Sequence, residues 1–273
     1  GPHGHDRQGR RYSLLGNSNL FMSILTCPAK LNLFLKILGK DKLYHEIETV
    51  ILRADKLNDF IHIEDSDKFE FECPPALNTP DNSVLKAIEL LQKHSGRKFK
   101  YKICLEKNIP QKSGLGGASS NAAAILIYLN EKEDLKISHA DLMEFATKIG
   151  MDTPFFVSGA KLALATHYGE IIRPLPDLPE DFEYEIRFTG IGVSTKEAYA
   201  EFDRKGKTSR INSAAILNAI NNGDAPEIID NMHNDFESIF PLPSIFQNIS
   251  SGKVLLSGSG GAYGVFHARN KSK

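Results

Sequence analysis

The chain has 273 residues, 41% of them hydrophobic and 25% charged, which suits a globular protein of one large domain or two modest ones. A formal net charge of −1 excludes the electrostatic footprint of a nucleic-acid or anionic-membrane binder, and no apolar run reaches the ~20 residues of a membrane helix. The three cysteines, Cys27, Cys73 and Cys104, fit neither a disulfide framework nor a metal site by spacing, and point to reduced thiols in the cytoplasm.

Residues 1–21 begin with Gly-Pro, precede Met22 and lack the apolar core of a signal peptide, so they read as a tag or vector remnant. Residues 24–38 alternate, with Lys30, Asn32 and Lys36 between aliphatic neighbours, which predicts a strand. Lys30 and Asn32 share a strand face with Phe34, a pattern closer to a pocket wall than to an open surface. Strand-like segments continue through 45–65. Residues 83–94 place Val84, Leu85, Ile88 and Leu91 on one helical face behind an Asp-Asn start signal. Phe99, Tyr101, Ile103 and Leu105 alternate again, predicting a strand that runs into a glycine-rich stretch.

That stretch, IPQKSGLGGASSNAA over 109–123, leads into an apolar helix expected over 119–129. Strand, glycine bend and helix start together make an anion site, because glycines permit positive φ and the first helical amides are unpaired. A P-loop is excluded, since Gly116-Gly117 is followed by Ala118 and not by Gly-Lys-Ser/Thr. The dinucleotide fingerprint also fails, because Ser119 stands where its third glycine belongs. The bland alternative is a capped helix after a tight turn. Residues 138–150 read as a further helix with Ser138 and Asp141 at capping-box spacing and a stop at Gly150. Asp152, in Gly-x-Asp-x-Pro, reads by itself as a short helix's N-cap.

Pro174, Pro176 and Pro179 mark a stiff connector and the expected domain boundary, giving domains over 22–175 and 176–273. A strand over 183–189, a helix after Ser194-Thr195, helical segments to Ile239 and two short strands around a Gly/Ser turn complete the chain. The mixture lacks a regular βαβ rhythm, so a two-domain α+β fold is expected.

The order P-x-x-x-G-L-G-G-x-S-S from Pro110 to Ser120 resembles the ATP-binding motif of the GHMP kinase superfamily. Residues 27–50, MDTPFF at 151–156 and the closing LLSGSGGAYGVF resemble further segments of its cytidine-substrate branch in the non-mevalonate isoprenoid pathway. Met151 and Thr153 depart from the commoner Ala and Val, and the last motif reads Gly-Gly-Ala. Neither departure removes a chemically active side chain.

The resemblance implies a GHMP kinase fold, with an N-terminal domain like the second domain of ribosomal protein S5 and a ferredoxin-like C-terminal domain. It implies ATP as co-substrate with Mg²⁺, held by Pro110, Gly114, Leu115, Gly116, Gly117, Ala118, Ser119 and Ser120, with Asn82 nearby. Asp152 would be the base and Lys30 the catalytic cation. Asn32 and Thr195 would contact a small cytidine diphosphate substrate, whose base would lie between Tyr44 and Tyr199 and bond to His45. Gly258, Gly260 and Gly261 would pack at the site's mouth. No dedicated protein metal ligands, no nucleic acid and no membrane are expected, and the assembly would be a monomer or weak homodimer. The rivals are a homoserine or mevalonate-type kinase, a decarboxylase of the same superfamily, and a silent nucleotide- or RNA-binding module.

Overall fold

A computed structural model describes residues 3–5, 11–13, 22–41, 44–246, 249 and 252–269. In chain order the strands are β1 (His3–His5), β2 (Arg11–Ser13), β3 (Met22–Lys40), β4 (His45–Asp65), β5 (Glu70–Glu72), β6 (Tyr101–Glu106), β7 (Leu162–Thr166), β8 (Ile171–Pro174), β9 (Phe182–Phe188), β10 (His233–Asn234), β11 (Lys253–Leu256) and β12 (Ala262–Ala268). The helices are α1 (Ser83–Ser95), α2 (Gly117–Lys132), α3 (His139–Ile149), α4 (Thr153–Val157), α5 (Thr195–Lys205), α6 (Ala214–Asn222) and α7 (Ala225–Asp230).

These elements form two compact units, and each is built from separated pieces of chain. The first comprises the described residues up to Ala29, with Asp55–Ile109 and Gly117–Val157. In it the second half of β4 pairs antiparallel with β6, Ile61 opposite Leu105 and Ile63 opposite Ile103. β5 runs parallel to β6 on the other side. Helix α1 starts at Asn82, whose side chain accepts from the Val84 N–H, and stops at Gly96 in the left-handed region. Its buried stripe is Val84, Ala87, Ile88 and Leu91. Helix α2 buries residues on most of its circumference, among them Ala122, Ile125, Leu126 and Leu129, and packs against α1, α3 and α4. The alternating apolar residues of β6 close the same core. Each fully buried Leu or Ile here contributes roughly 1.5–3 kcal/mol.

The second unit comprises Lys30–Ala54, Pro110–Gly116 and the described residues from Ser158 on. Here β10 runs parallel to β3, β7 pairs with the first half of β4, and β8 flanks β7. A separate sheet has the order β11-β12-β9. Leu35, Ile37, Ile47, Ala198, Phe202, Phe236, Leu256 and Tyr263 share a core. The proline-bearing connector lies inside this unit, with Pro174 ending β8. In β3 every residue from Ala29 to Leu35 is buried, so both faces of the strand are covered there and Lys30 lies inside the protein. All three cysteines are free. No helix among the described residues is long and apolar enough to cross a membrane.

Candidate active site

The glycine-rich stretch bends sharply between β6 and α2. Lys112, Gly114 and Gly116 have φ of 55°, 78° and 69°. Gly114 is the position that demands glycine, because a Cβ there would lie 2.2 Å from the Ser257 carbonyl oxygen. The Ser113 hydroxyl donates to the Pro110 carbonyl at 2.7 Å and closes the turn into the bend. From Gly117 onward the first amides of α2 have no acceptor within the helix, and the helix dipole adds partial positive charge there. A phosphate fits that chemistry.

In the second unit the bend's front half meets Lys30. The Lys30 backbone N–H donates to the Leu115 carbonyl at 2.9 Å. Its side chain is only 3% exposed, and Nζ donates to Asn32 Oδ1 at 2.5 Å. Asn32 Nδ2 donates to Thr49 Oγ1 at 2.8 Å, and the Thr49 hydroxyl donates to the Phe34 carbonyl at 2.6 Å. This relay fixes the amide: its oxygen must face the lysine and its nitrogen the threonine. A Cβ on Gly258 would lie 3.0 Å from the Gly114 carbonyl and 3.2 Å from Lys30 Nζ. The closing turn at 258–261 therefore lies on the bend, beside the Lys30 amine. Gly261 approaches the Lys112 carbonyl as closely, and Gly260 packs on Val193.

In the first unit the start of α2 meets the segment that carries Asp152. A Cβ on Gly150 would lie 3.4 Å from Thr153 Oγ1 and 3.5 Å from Ser119 Oγ. Asp152 is half-buried at this turn, and Ser120 is buried in the first turn of α2. Thr153 Oγ1 is buried without a hydrogen-bond partner. The Ser83 hydroxyl donates to the Ala118 carbonyl at 2.7 Å, bringing the start of α1 to the same place. Asn82 spends its side chain locally: Oδ1 accepts from the Val84 N–H and Nδ2 donates to the Leu77 carbonyl. That is a helix cap, as its position at the start of α1 allows.

The aromatic residues separate into two groups in the second unit. His45 stacks on Tyr199 with ring centroids 4.4 Å apart and planes at 17°. Its Nε2 pairs with Asp203 Oδ1 at 2.6 Å, one helical turn beyond Tyr199 on α5, and Lys40 also pairs with Asp203. The Lys40 amine, followed by His45, holds the Asp203 carboxyl below its usual range. Tyr199 meets Phe236 edge-on at 5.0 Å. Tyr44 sits instead beside Tyr168, with centroids 5.2 Å apart, and is 49% exposed. The His45 ring thus covers one face of Tyr199, and Tyr44 pairs with Tyr168 and not with Tyr199. Thr195 opens α5 and accepts from the Ser259 hydroxyl at 3.2 Å, which ties α5 to the closing turn.

Sequence reasoning missed Asp59, Lys107 and Asn121. Asp59 is 0% exposed and pairs with Lys107 and Asn121 just ahead of α2. The one signal was that Asp59, although it follows a polar stretch, falls in step with the alternating Ile61 and Ile63, whose buried face it shares. The neighbouring Cys27 thiol is pushed up to about 12 by burial, which leaves it a neutral core group.

The family model described as GHMP kinases N terminal domain matches residues 82–160, from the cap of α1 through the glycine bend to the end of α4. Bend, helix start and flanking fold place the chain among GHMP kinases. A 4-diphosphocytidyl-2-C-methyl-D-erythritol kinase of Thermotoga maritima is 36% identical over 260 residues, covering 90% of this chain and 93% of that protein. The crystal structure of a 4-(cytidine 5'-diphospho)-2C-methyl-D-erythritol kinase matches with a TM-score of 0.71 at 28% identity, covering 89% of each chain. Homoserine kinase from Cytophaga hutchinsonii matches with a TM-score of 0.65 at 17% identity, covering 95% of this chain and 88% of that one, a likeness of fold alone. The chain belongs to the 4-diphosphocytidyl-2-C-methyl-D-erythritol kinase family.

Proposed function

We propose that this protein transfers the γ-phosphoryl group of ATP to the 2-hydroxyl of 4-diphosphocytidyl-2-C-methyl-D-erythritol. The products are the 2-phosphate and ADP, and the step belongs to cytoplasmic isoprenoid precursor synthesis. The observation that carries this reading is the near full-length relationship to the Thermotoga maritima kinase. The glycine bend supplies the chemistry such a kinase needs.

Phosphoryl transfer asks the protein mainly for positioning and charge stabilisation. The amides from Gly114 to Ser120 hold the triphosphate, with Pro110 and the Ser113 turn shaping the entry. Lys30, its amine steered by Asn32, offsets negative charge on the transferred group. Asp152 takes or orients the proton of the attacking hydroxyl. Mg²⁺ would travel on the ATP phosphates and neutralise their charge, and the Ser119 hydroxyl is the candidate protein ligand. Among the described residues no group of three or more His, Cys, Asp or Glu side chains is placed to hold a metal ion.

For the cytidine end, Tyr44 offers an open aromatic face. A base that takes the Tyr199 face now covered by His45 would displace that ring, freeing His45 to bond the base edge. The test is a panel of acceptors with ATP, following ADP release: the cytidine substrate, homoserine and mevalonate. Turnover confined to the cytidine substrate is expected, and turnover with either acid in its place overturns the reading.

A further inference from the structure

Just ahead of α2, four donors converge on one carboxylate. Asp59 Oδ1 accepts from the backbone N–H groups of Asn108 and Ile109, both at 2.8 Å. Its Oδ2 accepts from Asn121 Nδ2 at 3.0 Å and from the Lys107 amine. Lys107 also donates to Asn121 Oδ1 at 3.3 Å. The partners fall on the two sides of the glycine bend: 107–109 is the last stretch before it, and Asn121 stands in α2 just after it. A Cβ on Gly117 would lie 2.9 Å from Lys107 Nζ and 3.0 Å from Ile109 Cγ2, so entry and exit press together where α2 begins.

We propose that Asp59 is a positioning residue for ATP: one buried carboxylate clasps both ends of the glycine bend and fixes the α2 amides that face the triphosphate. The inference rests on reading this bend as the ATP site. A lone buried carboxylate would oppose an incoming anion; Lys107 cancels that charge and leaves the partial positive charge of the helix start uncompensated. An apolar side chain of the same volume would leave the buried Ile109 amide and the partly buried Asn108 amide without their acceptor and the bend free to open. A purely structural role would reduce the folded fraction and weaken both substrates alike, whereas a clasp on the bend acts on ATP.

The test uses the full chain carrying Asp59→Asn. Each substrate is varied in turn in steady-state kinetics, a non-hydrolysable ATP analogue is titrated by calorimetry, and thermal melts report folding. Losing charge-assisted bonds predicts a rise of about tenfold or more in the KM for ATP and in the analogue's Kd, with the KM for the alcohol within about twofold. An unchanged KM for ATP in a folded variant, or both KM values rising together, overturns the inference. Asn121→Ala leaves the ion pair and both amide bonds in place, and is expected to raise the KM for ATP several-fold. It decides the matter if Asp59→Asn does not fold, and an unchanged KM for ATP in it overturns the inference. If the wild type binds the analogue but phosphorylates no cytidine alcohol, the proposed substrate fails and the two variants' Kd values still judge the clasp. If the wild type binds no analogue, the clasp falls with the ATP site.

Discussion

Lys30 shows how a single residue in a strand can stand out from its neighbours. A lysine amine is costly to bury, and here it is buried against an asparagine whose own amide is pinned by Thr49. Replacing it with methionine keeps the stem and removes the charge. Lys30→Met should lower kcat by roughly 10²-fold or more while the KM for the alcohol moves little, as for loss of one charge stabiliser. ADP release at saturating substrates measures this; a variant with near-normal kcat contradicts the role. The lysine was legible because it interrupts an aliphatic run at an even position. Asp59 was not, because its partners lie 48 to 62 positions along the chain and its own neighbourhood looks like an ordinary polar bend. The aromatic pair was legible as residues and not as an arrangement: Tyr199 meets His45, and Tyr44 meets Tyr168.

At the scale of elements, turns and caps were readable and the contacts between distant turns were not. Ser138, Ser194 and Asn82 cap the helices that the sequence placed behind them. The helix ending at Gly150 stops there with an extended glycine at φ −179°, so a left-handed terminus is not what ends it. That the turn after β11 rests on the glycine bend depends on tertiary packing. Gly114→Ala would combine a left-handed backbone with a methyl 2.2 Å from a carbonyl oxygen. It should destabilise the protein by at least about 2 kcal/mol, seen as a fall of several degrees in Tm. An unchanged Tm would mean the bend does not sit as described.

A second element-scale prediction concerns Asp235, which accepts from the Ile37 N–H at 2.8 Å and the Ser209 N–H at 3.0 Å and pairs with His233 at 2.7 Å. Burial pushes its carboxyl up, but these bonds together hold it below the ordinary range. A depressed folded value means the stabilisation is present above the unfolded pKa near ~3.9 and is lost as pH falls through the folded one. Asp235→Ala should cost about 2–3 kcal/mol at pH 7, because two amides lose their acceptor. The difference from wild type should shrink in urea melts below about pH 4. A difference that grows on acidification contradicts the assignment.

For the whole molecule, composition and periodicity were enough for a mixed α+β chain, and the chain has that content within a GHMP kinase fold. The two compact units are each assembled from non-contiguous segments, with β3 and β4 each contributing residues to both. A linear reading looks for one composition shift and finds the proline connector, which lies inside one unit. The motifs at the glycine bend and at 151–156 were legible because a tight glycine bend and an Asp-x-Pro helix start restrict residue types locally.

The central claim is that Asp152 handles the proton of the acceptor hydroxyl in an ATP-dependent transfer. Coupled ADP release with the cytidine diphosphate alcohol, comparing wild type with Asp152→Asn, tests it most directly. Robust turnover by the wild type and a loss of roughly 10²-fold or more in kcat, with Tm unchanged, is the predicted result. A wild type without turnover, or a variant that keeps most of it, would contradict the account.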